Sequence, residues 1–193
     1  VTVVADYLTY DEKLGLVLAS GNVELSQAGR LLLADTVAYS ESKGLTAANG
    51  NVTLLEPSGE VIFANRIVLS DEMQSGFVGN PKLKLDAQTR IAANNAVRTN
   101  GNTTKMSRGI FSPCDLCTDN PARSPLWQIK AVNIVHDQKE QDLHYYDAWL
   151  ELFGIPIIYT PYFEHPDPTV KRRSGFLAPQ YGSSSNLGLQ LSV

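Results

Sequence analysis

Hydrophobic and polar positions alternate through the first half of the chain, and the alternation recurs. Leu31, Leu33, Val37 and Tyr39 fall on one face of an extended segment, with Leu32, Ala34, Thr36 and Ala38 on the other. One period later the same face carries Val61, Phe63, Ile67 and Leu69. A period of two over this length argues half-buried strands rather than helix. Ala5-Asp6 aligns with Ala34-Asp35, Tyr10 with Tyr39, Gly15 with Gly44, Ala19 with Ala48, Gly21-Asn22-Val23 with Gly50-Asn51-Val52, and Leu25 with Leu54, each offset being 29 residues. A weaker third copy runs through Ala64-Asn65 and Gly79-Asn80, and Ala93-Asn94 with Gly109 suggests a fourth. No amphipathic helix stands out.

Each repeat reads as two strands and two turns. The Gly-Asn and Ser-Gly pairs are assigned to the turns, because Gly and Asn tolerate positive φ. A unit of two strands cannot bury a face alone, so the repeats are expected to stack. The prediction is an all-β stack with one apolar interior along its length and two open ends. Its inward face is expected to include Val23, Leu25, Leu31, Leu33, Val37, Val52, Leu54, Val61, Phe63, Ile67 and Leu69. The pattern leaves two readings of that interior, a plain core or a groove for lipid chains.

From Ser112 the pattern changes. Residues 112–126 are rich in Pro, Cys, Asp and Ser and read as an irregular loop. Trp127 to Asp137 and Leu143 to Phe153 read as strands. The following run, Gly154 to Phe163, contains Pro156 and Pro161, which places it at a sheet edge or leading into a linker. At the end, Leu187, Leu189, Leu191 and Val193 alternate with Gly188, Gln190 and Ser192, as a membrane β-strand requires. One such strand cannot close a barrel, so the remainder is expected to lie beyond this sequence.

Composition narrows the function classes. The 193 residues fit one domain, or one plus part of a second. A formal net charge of −4 disfavours a general nucleic-acid binder. There is no run of eighteen apolar residues, hence no expected transmembrane helix. No signal peptide is visible, and Val1-Thr2-Val3-Val4 already reads as a strand, so a leader was removed or the sequence begins inside a longer protein. No nucleophile elbow or phosphate-binding glycine loop occurs. Asp6 and Asp35 repeat, but the next equivalent is Asn65, which breaks any catalytic carboxylate row. The chain is therefore not expected to be an enzyme or to need a cofactor. His136, His144 and His165 lack ligand spacing, and His136-Asp137 is read as a structural hydrogen-bonding pair. A β-repeat scaffold or adhesin module without lipid cargo is the competing reading.

Several pieces of the second half resemble one family. They are Ser112-Pro-Cys114, Trp127, Ile134-Val-His136-Asp137, Phe153-Gly-Ile-Pro-Ile-Ile-Tyr-Thr-Pro-Tyr162 and, most specific, Lys171-Arg-Arg-Ser-Gly-Phe-Leu177. Together they resemble the lipopolysaccharide-assembly outer-membrane protein family, LptD (also called OstA, or organic solvent tolerance protein). The 29-residue repeats resemble the OstA-type periplasmic module. The resemblance implies a periplasmic β-jellyroll, a V-shaped stack of antiparallel strands, over residues 1–163. A linker over 164–186 and the start of an outer-membrane β-barrel at 187–193 would follow. It further implies transport of lipopolysaccharide (LPS), with acyl chains along the inward face. A bridge protein, LptA, would add to the N-terminal edge at Val1, Thr2, Val3 and Val4. A plug lipoprotein, LptE, would sit in the barrel. That edge either docks the bridge or merely caps the fold.

In the family, a cysteine matching Cys114 bonds to a distant cysteine in the barrel, which would lock the two parts in register. Cys117 departs from the simplest version of that pattern. It pairs with a second barrel cysteine, or Cys114 and Cys117 bond to each other, or the two contribute half of a zinc site. Lys171-Arg172-Arg173 either meets lipid phosphates or forms a solvated turn. Pro179 stands shortly before the expected first barrel strand and removes a ladder donor; the resemblance implies that prolines in the early strands weaken the seam through which lipid leaves sideways.

Overall fold

The computed structural model describes residues 1–70, 72–86, 89–113 and 125–170, and the backbone of two further strands, 180–184 and 188–192. In chain order the strands are β1 (Thr2–Val4), β2 (Tyr7–Asp11), β3 (Leu16–Gln27), β4 (Arg30–Ser40), β5 (Leu45–Leu55), β6 (Val61–Ser70), β7 (Ser75–Gly79) and β8 (Lys82–Lys84). They continue with β9 (Arg90–Ala92), β10 (Asn95–Thr99), β11 (Thr103–Ser112), β12 (Trp127–Asp137), β13 (Asp142–Leu152), β14 (Ile155–Pro166), β15 (Gln180–Ser184) and β16 (Gly188–Ser192). The first fourteen form one antiparallel sheet, and there is no helix among the described residues. The expected all-β stack is what is found.

The sheet is creased along a line that crosses every strand. β1 and β2 pair with the two halves of β3, β7 and β8 with the two halves of β6, and β9 and β10 with the two halves of β11. Each pair is therefore one strand broken at its middle. In the long strands the ladder skips residues at the same level: Gly21-Asn22 and Asp35, Gly50-Asn51 and Asn65, Val132 and Asp147, Pro161. Asn22, Asn51, Asn80, Arg108 and Asp147 take φ values of 45–51° on this line. Such unpaired residues bend a strand and raise its twist.

The crease divides the sheet into two arms. The first holds Leu25, Leu32, Leu54 and Ile62, and the second holds Val37, Ala48, Ile67 and Ile134. Leu25, Leu32 and Leu54 are 0% exposed. A lone sheet buries a face that completely only by folding onto itself. Contacts across the arms agree: the ring of Phe111 on the first arm meets that of Tyr145 on the second edge-on, at 5.9 Å.

The Gly-Asn pairs are thus not turns. They sit mid-strand at the crease, while the chain reverses at pairs such as Ala28-Gly29, Asn100-Gly101 and Phe153-Gly154. β14 lies at the sheet's edge, as its two prolines indicated. The sheet runs past residue 163, since β14 ends at Pro166 and Asp167 is buried. β15 and β16 pair antiparallel, so a strand lies within the stretch expected as linker and another where the barrel was expected to begin. Cys114, Cys117, Lys171 to Leu177, Pro179, Leu187 and Val193 lie outside the described residues.

Candidate functional site: the interior between the two arms

Seven of the eleven positions expected to face inward do so. Val23, Leu25, Val37, Val52, Leu54, Ile67 and Leu69 are buried in one continuous core. Leu31, Leu33 and Val61 are only half-buried, and Phe63 is 45% exposed; these four point to the outer face. Their places inside are taken by Leu32, Ala34, Ile62 and Ala64. The cause is the crease. Gly21-Asn22 and Gly50-Asn51 each add two residues, so alternation keeps its phase through β3 and β5. Asp35 and Asn65 each add one, which inverts the faces of β4 and β6 on the near side. A single extra residue carries no apolar signature, so alternation counted straight through it comes out reversed.

The crease is held by a recurring latch. Asn22 Nδ2 donates to Asp6 Oδ2 at 3.0 Å, and Asn51 Nδ2 donates to Asp35 Oδ2 at the same distance. The carboxylate fills the space where a side chain on the neighbouring glycine would stand. A Cβ at Gly21 would lie 2.4 Å from Asp6 Oδ2, and one at Gly50 would lie 2.2 Å from Asp35 Oδ2. The repeated Asp and Gly-Asn of the sequence are the two halves of this latch.

Opposite the crease, charged side chains clasp the arms together. Glu56 Oε2 on the first arm accepts from Arg30 Nε and from Arg98 Nη2, each at 3.0 Å, and Arg98 comes from the second arm. Gln138 on the second arm donates to Glu60 on the first. Burial pushes the Glu60 carboxyl above its ordinary range, and the charge of Glu56 adds to this, against the pull of His136 and Arg98. These residues are up to 78 positions apart with no periodic signal, which hid them from sequence reasoning.

The interior is open at both ends. Leu8 and Tyr10 on β2 pair with the inward Ala19 and Val17 of β3, yet are 57% and 54% exposed. At the far end Ile158 pairs with the inward Leu150 and is 56% exposed. Near that end the lining becomes aromatic. Tyr145 is fully buried among Phe111, Phe163 and His165. His165 Nδ1 lies 2.7 Å from the Pro166 carbonyl, which only accepts, so that nitrogen carries the proton. Nε2 then accepts from the Tyr145 hydroxyl at 2.9 Å. Burial lowers the His165 pKa, in keeping with a neutral ring.

His136 and Asp137 do not pair with each other. His136 Nε2 lies 2.6 Å from Asp167 Oδ2, while Asp137 accepts from Asn102 and from the backbone of Lys139 and Glu140. Burial alone would raise the Asp167 pKa, but hydrogen bonds from His136 and Thr169 outweigh it and hold the carboxyl low. Among the described residues no group of three or more His, Cys, Asp or Glu could hold a metal ion. At the N-terminal edge, Thr2, Val3 and Val4 pair with Ser26, Leu25 and Glu24, and among the described residues the other side of β1 has no strand neighbour. Val3 packs on the core, whereas Val1 and Val4 are exposed.

Comparison with known proteins gives the following matches. A model described as "LptA/(LptD N-terminal domain) LPS transport protein" matches residues 2–142. The chain is 36% identical over 76 residues to the LPS-assembly protein LptD of Idiomarina loihiensis, covering 39% of this chain and 10% of that protein. It is 33% identical over 90 residues to the LptD of Yersinia enterocolitica, covering 47% and 10%. The matched stretch therefore spans only a tenth of the length of these relatives. Among solved structures it matches LptH, the LptA homologous periplasmic component of the lipopolysaccharide transport device from Pseudomonas aeruginosa, with a TM-score of 0.31 and 13% identity over 74% of this chain and 78% of that one.

Proposed function

The chain belongs to the LptA/LptD N-terminal domain family of LPS transport proteins, and from that premise we propose that its interior carries the acyl chains of LPS across the periplasm toward the outer membrane. The observation that carries this reading is a continuous apolar interior, set between two arms of one sheet and open at both ends. Each CH₂ withdrawn from water contributes about 0.8 kcal/mol, so an acyl chain of roughly a dozen carbons costs on the order of 10 kcal/mol to expose. An unbroken apolar path lowers that cost at every point. The lining is closely packed, so the lipid takes the place of contacts between the arms. Sugars and phosphates remain outside the interior, in water.

The N-terminal edge, Val1 to Val4, is the proposed docking strand for LptA, because a strand with a free side invites strand addition. The proposed location is the outer membrane, with this portion in the periplasm. A β-barrel plugged by LptE would begin near β16, and disulfides from Cys114 and Cys117 would tie the two parts together. The reaction class is transport, with no enzymatic step.

Photo-crosslinking residues placed one at a time at Leu25, Leu54 and Ile67 in the cell-borne protein test the cargo. Capture of LPS there, and not at the outer positions Thr36 and Phe63, is the expected outcome. Equal capture on both faces would sink the groove. No capture on either face would favour a packed scaffold without cargo.

A further inference from the structure

The β13–β14 hairpin ends the sheet in an apolar tip that the interior does not use. Leu152 to Phe163 contains no charged residue. Phe153, Ile155 and Ile157 are 48–65% exposed, and Trp149 and Tyr159 are 44% and 49% exposed. The turn itself is Phe153-Gly154, with φ of 51° and 83°. Two-residue hairpins of this geometry favour Asn or Asp before Gly. A left-handed conformation costs an ordinary residue about 1–2 kcal/mol. The chain therefore holds a large, exposed apolar ring in a strained conformation at the hairpin turn, where an Asn would be better accommodated.

Chemistry is graded along the outer face of the hairpin. Aliphatic residues occupy the tip, and the one carboxylate beside them, Glu151, is buried and neutralised by Lys130 at 3.0 Å and by a hydrogen bond from Gln128. Next come Trp149 and Tyr159, with ring centroids 5.1 Å apart, and the Tyr159 hydroxyl donates to Asp147. Tyr146 and Tyr162 follow at 5.3 Å, and then His144 with Glu164 at 3.3 Å. On the exposed surface of the hairpin, an order of aliphatic, then Trp and Tyr, then unburied carboxylate matches the profile of a lipid–water boundary. From Ile155 to Tyr159 the strand advances roughly 13 Å, within one ~15 Å half of a hydrocarbon layer. Pro156 and Pro161 remove amide donors from this edge, which disfavours addition of another strand.

We propose that the β13–β14 tip is a membrane-contact element, seating Phe153, Ile155 and Ile157 in the interfacial layer of a phospholipid leaflet with Trp149 and Tyr159 at its boundary. This places a lipid surface at the far end of the interior, beside the exposed Ile158.

The test uses the full chain and vesicles of phosphatidylethanolamine and phosphatidylglycerol without LPS, some carrying brominated acyl chains. A Trp127→Phe background leaves Trp149 as the reporter. The expected result is that bromolipid quenches Trp149 and that the protein floats with the vesicles. Phe153→Asp with Ile155→Asp should lower partitioning at least about tenfold without moving the unfolding midpoint. Leu8→Asp, at the opposite end, should leave partitioning unchanged. An unquenched Trp149, an equal loss in the Leu8 variant, or loss of a self-associated form with vesicle binding intact would each overturn the proposal. Because the vesicles contain no LPS, failure here leaves the cargo reading standing, and failure of LPS capture leaves this one standing.

Discussion

The N-terminal repeats and the last three strands of the large sheet, β12 to β14, bend at the same crease by different chemistry. In the repeats, Gly-Asn pairs supply the bend, and Asp6 and Asp35 latch it. The core there is aliphatic, built from residues such as Leu25, Leu32 and Leu54. In the last strands no glycine sits at the crease. Asp147 takes the left-handed conformation, Pro161 interrupts the edge, and the Asp147 carboxylate accepts from Tyr159. The core there is aromatic, centred on Phe111, Tyr145 and His165. One region is specified locally by a repeated motif, the other by large side chains from distant strands. Four substitutions test that contrast.

Phe111→Ala should have the largest effect. Phe111 is fully buried and its ring touches three others, so truncation is expected to cost about 3–5 kcal/mol. Chemical denaturation measures it. A cost below that of an aliphatic truncation such as Leu25→Val would show that the aromatic end is not what holds the last strands.

Gly50→Ala comes next, at about 2–3 kcal/mol, combining a strained φ with displacement of the Asp35 carboxylate. Removing that carboxylate should recover part of the loss. A double-mutant cycle with Asp35→Ala is therefore expected to be non-additive; additivity would remove the latch from the explanation.

Arg108→Gly transfers the N-terminal solution into a later strand. Arg108 has a φ of 51° and an exposed side chain. The substitution should stabilise by about 1 kcal/mol. Destabilisation would mean that the arginine makes the crease there in its own way.

The smallest effect should come from Glu60→Gln, with a sign set by pH. A carboxyl whose folded pKa is raised favours folding when protonated, and that contribution is lost as pH rises through the folded value. The unfolding midpoint of the variant relative to the parent should therefore climb as pH rises from about 4 toward neutrality. A flat difference would place the Glu60 charge outside the stability of the clasp.

The same contrast explains what was legible in the sequence. The 29-residue period, the all-β class and the edge position of β14 could all be read, because strand alternation and proline chemistry are local. Each aligned Ala-Asp and Gly-Asn pair marks the crease, although positive-φ residues serve turns and bulges alike, so the sequence alone does not separate the two. That ambiguity inverted Leu31, Leu33, Val61 and Phe63. A repeat with two strands such as β4 and β5, of 11 residues each, leaves its Gly-Asn mid-strand, and this length is the signal that separates a bulge from a turn. The clasp of Arg30, Glu56 and Arg98 and the aromatic end have no local signature, because tertiary contact alone brings them together.

Three consecutive leucines test the interior most directly. Leu31, Leu32 and Leu33 share one side-chain chemistry, but only Leu32 faces the space between the arms. A photo-crosslinker at position 32 should capture LPS in cells, while the same group at 31 or 33 should not. Capture at 31 and 33 with none at 32 would contradict the assignment of the interior as the lipid path.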